Sequence, residues 1–543
     1  MLHFLVNQLK HELDVPASVI KKVYDNIIKQ EQSQQQYDNT TNFDGEITIS
    51  TPTYLEWVEK INEVFPLFKI NAPTYYIHFD DSYVENALVT NGFGDGTGIT
   101  LTDIQTKSFE QIFRNNTNIE SFNELTYFTK INRQGFSERA FEGCSSLTSV
   151  DVSNVENFGH ELVFKDCINL DKFHGASSEL GVLNLTNYFN STLPASTFEN
   201  CKKITEIRSL GNTTTIGRNC FNNCTNLETI SQDVLNNITI IKSNAFRLCN
   251  NLLINDLSLP NLGQIDPTEE TFTGTQIKKV SNLGNITIVY GFNNCKSLTE
   301  VNLPSTCIEL GRRAFYNCSA LTTINLQYVE KFEGSALSGC TSLEYFMGPD
   351  SERGIIDLPN LKYGDFGCSG TKVREIRNIG SVKKLASWGF IGCSLLNNID
   401  NILPQIEEIG SMCFWRCPSL SINDLNCPNL KTMDVSVFPD IKIKKISSLG
   451  SLTVLQREMF KNCTMLTEAV LPTTLTQIDD NVFGGCTALE SLTILATDPP
   501  ALTVSALSNT TCTIYVPAGS VDTYKQAEGW STYADRIQAI QTT

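Results

Sequence analysis

At 543 residues the chain is long enough for several globular domains, and its 41 basic against 59 acidic residues leave a net charge of -18. A surface that acidic disfavours nucleic acid and anionic lipid as partners, because both select basic surfaces. No run approaches 18 apolar residues, so no membrane insertion by a helix is expected.

Residues 1–36 read as helical, with Leu2, Leu5, Val6 and Leu9 on one apolar stripe and Val19, Ile20, Val23, Ile27 and Ile28 on another. They lack the basic region and apolar run of a secretory signal. This segment is expected either to cap its own chain or to dock it onto a homo-oligomer or virion partner. Residues 37–78 hold the rest of the polar run QEQSQQQYDNTTN, a linker by composition, and a second helix over 51–68 marked by Leu55, Val58, Ile61 and Val64. Residues 79–131 form a lead-in segment containing the glycine-rich phrase NGFGDGTGITLT.

From 132 to 496 one phrase recurs about fifteen times: Ala-Phe, two residues, Cys, two residues, Leu, then a short strand. NAFRLCNNLLI, RAFYNCSALTTINL and EMFKNCTMLTEAV are three of the copies. Such a period predicts a solenoid, in which each unit buries its apolar face only against its neighbours. LTTINL shows the strand, with Leu321, Ile324 and Leu326 as its apolar marks, and the remainder of each coil reads as a turn and a short helical or 3₁₀ piece. The recurring Phe supplies the large core side chain.

Eighteen cysteines suggest a disulfide protein until their positions are compared. Cys144, Cys167, Cys201, Cys224, Cys249, Cys295, Cys318, Cys340, Cys393, Cys417, Cys463 and Cys486 all occupy one repeat position, which Thr275, Thr371 and Ile441 fill in other copies. A site that accepts Cys, Thr or Ile wants a small, mostly apolar side chain, so these cysteines are read as a structural ladder of free thiols. There is no CxxC pair, and no metal or other cofactor is expected.

The Ala-Phe-x-x-Cys-x-x-Leu phrase resembles the leucine-rich repeats of BspA-type bacterial surface proteins. That resemblance implies an α/β leucine-rich-repeat solenoid of about fifteen coils, with a helical N-terminal region and a C-terminal capping module. The closing module is 497–543, where YVPAGSVDTYK and GWSTYADRI are similar to the family's ending; Trp530, Tyr533 and Ile537 are expected to fill its core. In the lead-in segment the family carries a calcium-loop-like phrase. Here it is degenerate: with Asn91 as first ligand, Asp95 and Gly96 fit, but Phe93 takes a ligand place and Thr102 stands where a bidentate Glu belongs.

No catalytic residue is assigned. All five histidines precede residue 175, so most of the solenoid lacks the partner that a nucleophilic Ser or Cys needs, and thiols in an apolar core are inert. The strand face remains as a binding surface, with Ser149, Asp151, Glu206, Arg208, Thr229, Glu300, Asn302, Thr323, Asn325, Tyr345, Glu375, Arg377 and Glu468 as outward candidates. Tyr345, Phe346 and Met347, beside the insert MGPDSERG and near Glu375 and Arg377, are the expected ligand contacts. The expected partner is a protein or glycan on a cell surface. Two settings follow: a phage virion component facing its host, slightly favoured by the N-terminus, or a cell-surface adhesin binding host matrix, glycoprotein or another microbe.

Overall fold

The computed structural model describes residues 76–108, 110–267 and 270–541. The helix and docking or capping role expected for 1–36, and the linker and helix expected before residue 76, lie outside the described residues. The described residues divide into two compact units, one holding Tyr76, Ile77 and Gly94–Asp103, the other formed by His78–Phe93 and the described chain from Ile104 onward. In the first, the Asp95 carboxylate accepts from the Thr97 hydroxyl at 2.6 Å, the Thr97 N–H at 3.0 Å and the Tyr76 hydroxyl at 3.1 Å. Those bonds, the Thr97 hydroxyl first, hold its carboxyl down at about 2. The one acidic side chain of the calcium-loop-like phrase is thus engaged by its own loop.

The second unit is a solenoid whose coils cross two parallel ladders and then a turned corner. Along the first ladder Lys279 pairs with Glu300 and Glu300 with Thr323, while Val280, Val301 and Ile324 follow one another on the inner side. Outward polar and inward β-branched residues alternate because successive side chains of a strand face opposite ways. The second ladder stacks two-residue strands such as Ile288–Val289, Glu309–Leu310 and Lys331–Phe332.

At the corner the expected short helical piece is instead a turn. In most coils the residues two before and two after the Phe both adopt positive φ, as Asn219 and Asn223 do around Phe221 and Glu458 and Asn462 around Phe460. Two left-handed residues so close together stop a right-handed helix. The corner N–H groups turn to the next coil, Phe141 donating to the Val163 carbonyl at 2.8 Å and Phe221 to that of Ala245 at 2.9 Å. Asparagine suits the second of these positions for another reason, since its amide reaches its counterpart one coil away: Asn223 donates to Asn200 at 2.7 Å and Asn462 to Asp440 at 3.0 Å.

Inside the corner the phenylalanines stack. From Phe113 through Phe141, Phe164, Phe198, Phe221, Phe246, Phe272 and Phe292 to Phe315, centroids lie 5.0–5.9 Å apart with planes within 20°. Phe113 belongs to the lead-in segment, so the first coil of the spine begins ahead of the first recognisable repeat. A second spine runs Phe390, Phe414, Phe438, Phe460 and Phe483. Leu337 and Cys368 occupy the position between them. Each buried ring contributes about 1.5–3 kcal/mol by burial.

Beside the spine, all eighteen cysteines are free and buried. Each of the twelve ladder thiols donates to the carbonyl at the spine position of the preceding coil, at 2.9–3.3 Å. Thr275 and Thr371 donate to the carbonyl of their own coil, each at 2.8 Å. In the closing module Trp530 is fully buried and its indole N–H reaches the Pro500 carbonyl at 2.7 Å, while the Tyr524 hydroxyl reaches that of Ala496 at 2.9 Å. These bonds tie the module onto the last coils, and Ile537–Ala539 continues the first ladder beyond Thr513–Val516.

Candidate functional site

The outer face of the first ladder carries a shallow depression of about 240 Å³, lined by Lys279, Ser281, Glu300, Asn302, Thr323 and Asn325 and closed on one side by Gly348 and Pro349 of the insert. The register builds it: each coil contributes one residue to each outward column, and the parallel pairing sets those residues side by side. Lys279 is bound to Glu300 at 2.9 Å, which raises its pKa and keeps it charged, and the pair marks one rim. The floor is neutral. The Asn302 amide donates to the Ser281 carbonyl at 3.4 Å, and Asn325 accepts from the Gln327 N–H at 3.1 Å.

The insert 348–354 is braced against the ladder. The Ser351 hydroxyl donates to the Gly348 carbonyl at 2.7 Å and accepts from the Met347 N–H at 3.3 Å. Arg377 forks onto both oxygens of Glu352 at 3.1 Å and also holds Glu375 at 3.4 Å. Bidentate contact fixes direction as well as distance. The earlier insert is built the same way: Ser178 donates to the Gly175 carbonyl at 2.8 Å, and Arg208 forks onto Glu179 at 3.2 and 2.7 Å while holding Glu206. Both follow an antiparallel bridge, Asp151 to His174 in one and Asn325 to Met347 in the other. The chain thus contains one loop device twice.

The structure sorts the five expected ligand contacts. Tyr345 and Met347 are half-buried and border the depression through bridges to Thr323 and Asn325. Glu375 and Arg377 brace the insert. Phe346 must be corrected: it alternates inward between its two neighbours, is 1% exposed, and belongs to the core. Two further outward candidates are also enclosed, Ser149, which donates to Asn123 at 2.6 Å, and Thr323, 8% exposed on the rung beside Tyr345. Sequence reasoning passed over Lys279 and Ser281, although KKVSNLGN places them in register with the Glu and Arg of REIRNIGS.

Amides, hydroxyls and one ion pair can make hydrogen bonds to a ligand. His174, half-buried, is kept neutral by burial and accepts the Asn184 N–H on Nε2 at 3.2 Å. Among the described residues no three His, Cys, Asp or Glu side chains converge as metal ligands would. A wider depression of about 690 Å³ beside the second ladder is lined by Glu138, His160, Glu161, Asn190, Arg218 and Lys242 with turn residues.

A family model, the BspA type leucine rich repeat region, matches residues 97–188, 179–290, 268–397 and 359–490. No curated protein matches the chain. Among solved structures, a leucine-rich repeat protein from Bacteroides ovatus is 21% identical over 65% of this chain and 88% of its own, with a TM-score of 0.42. A leucine rich cell surface protein from Faecalibacterium prausnitzii is 19% identical over 80% and 86%, with a TM-score of 0.28. The pneumococcal vaccine antigen PcpA is 13% identical over 76% and 79%, with a TM-score of 0.31.

Proposed function

The chain belongs to the BspA-type leucine-rich-repeat family, and from that premise we propose that it is a non-enzymatic binding or adhesion protein presenting the outer face of its first ladder to a partner at a cell surface. The observation that carries this reading is the depression on that face: its neutral amides and hydroxyls are held in register by the ladder and walled by a braced insert. Rigid strands position such groups better than a free loop does, and an insert on a regular scaffold is where recognition concentrates. The partner is a protein or glycan, bound by hydrogen bonds rather than by charge. A virion or homo-oligomer partner was expected through residues 1–36, which lie outside the described residues and carry no part of this reading.

Labelled full-length protein, assayed by flow cytometry on epithelial and bacterial cells, tests the proposal. The double variant Ser281→Arg with Asn302→Arg fills the depression without touching the core. It should lose at least tenfold in apparent affinity at an unchanged melting temperature. Equal binding by both proteins would remove the strand face from the function.

A further inference from the structure

A different part of each coil carries a second inference. On the corner ridge, the residue two before the spine ring and the residue one after it face outward together. Within a coil they touch: Arg139 meets Glu142 at 3.2 Å, Lys461 meets Glu458 at 3.0 Å, and the Arg313 guanidinium lies 5.4 Å from the Tyr316 ring. Between coils the later position pairs with its counterpart, Arg114 with Glu142 at 2.8 Å and Lys165 with Glu199 at 3.7 Å. Much of the ridge is therefore a seam of self-paired charges. In the coils of Phe390 and Phe414 the same four places hold Trp388, Ile391, Met412 and Trp415.

These four residues share one patch of backbone. Within each coil Ile391 donates to the Trp388 carbonyl and Trp415 to that of Met412, at 3.3 and 3.1 Å. Between the coils Trp388 donates to Ser411 and Gly392 to Trp415, at 2.8 and 2.9 Å. Trp388 is 59% exposed and has φ +59°. The corner holds Asn219, Asn244 or Asn481 in some coils and long side chains such as Leu162, Arg313 or Glu458 in others, but a ring this large in a left-handed conformation is strained and gains little burial in return. Its presence is not explained by stability. The Arg416 guanidinium lies over the Trp415 ring at 4.7 Å.

We propose that Trp388 and Trp415 form a stacking platform for a neutral glycan. Four side chains are too few for a protein interface, which needs about 800 Å² from each partner. The neighbours are not apolar either: exposed Ser387 precedes Trp388, and half-buried Ser411 precedes Met412 with its hydroxyl donating to the Asp434 carboxylate at 3.3 Å. An apolar face edged by donors and acceptors matches a pyranose, whose C–H face stacks on an indole while its hydroxyls turn outward. The net charge of -18 opposes sialylated or sulfated sugars, which selects a neutral ligand. The ridge is separate from the strand face, so this proposal and the strand-face reading fail independently.

Tryptophan fluorescence of the full chain, titrated with chitotetraose, cellopentaose and maltopentaose, with sialyllactose as the anionic comparison, is the test. A printed panel of neutral oligosaccharides extends the search. The expected result is a saturable shift with at least one neutral probe, weakened at least tenfold in Trp388→Ala and in Trp415→Ala, with melting temperature kept in the former. Binding of no neutral probe at millimolar concentration would overturn the proposal, as would binding unchanged in both variants. Tighter binding of sialyllactose, or a Trp388-dependent response to an apolar peptide and to no sugar, would overturn it too.

Discussion

A thiol suits the ladder position because it is small and apolar and still has a hydrogen to give. Composition at that position exposed the first two properties, through the Thr and Ile that replace it, but not the third. The accepting carbonyl belongs to the preceding coil and is visible only once the coils are stacked. Replacing Cys318 with Ala should therefore cost about 1 kcal/mol, read as a lowered urea midpoint, because the Phe292 carbonyl loses one of its bonds. A loss no larger than that of an exposed alanine substitution would show that only size matters there. Trp388 predicts the opposite sign: Trp388→Asn places a residue tolerant of positive φ at +59° and should stabilise by up to about 1 kcal/mol. Glu124 is a third case. It is 7% exposed, one carboxylate oxygen accepts from the Asp80 N–H at 3.0 Å, and the other has no partner. Burial raises its pKa above the ordinary 4.5, so the unfolded chain loses that proton first as pH rises. Stability from this site is complete at pH below about 4.5 and declines through the raised value. Glu124→Gln should raise the melting temperature at pH 7 and leave it unchanged at pH 4; a gain equal at both would exclude ionisation as the cause.

At the scale of elements, the first ladder was legible because alternation in LTTINL and the recurring Leu and Cys mark its core side. The second ladder was not, since strands of two residues are shorter than any periodic signal. The corner was misread as partly helical. The residue types that adopt positive φ there include Glu458, Arg313 and Met412, which carry no turn signature, so only the stacked backbone reveals the turn. On the strand face, Tyr345 and Met347 lie half-buried beside the insert as their positions in the sequence led one to expect, whereas Phe346 turns into the core by one step of alternation. The brace between Arg377 and Glu352 joins residues on different coils, which spacing alone does not pair. Exposed pairs contribute little to global stability, at most about 1 kcal/mol. Arg377→Ala should accordingly leave the melting temperature nearly unchanged while speeding amide exchange across 348–354, and Arg208→Ala should do the same across 175–181. Unaltered exchange in both loops would mean that the forks do not hold them.

For the whole molecule, the free thiols set a pH limit. Burial pushes Cys249, Cys295 and Cys340 to about 12, against 9.0 for an ordinary thiol. Well below pH 9 these three are protonated in both states and their contribution is intact. Between 9 and 12 the unfolded chain ionises and the folded chain does not, so stability falls by about 1.4 kcal/mol per pH unit for each such thiol. Urea midpoints should drop steeply from pH 9 to 10.5, and a flat profile would contradict the buried ladder. In the proposed function the outer face of the first ladder does the binding. The measurement that reaches it most directly is hydrogen–deuterium exchange of the full chain, free and bound to the cell surface that retains it. Slowed exchange should gather in 279–282, 300–302, 323–325 and 348–354. Protection confined to the closing module, to the second ladder or to residues before 76 would contradict the claim.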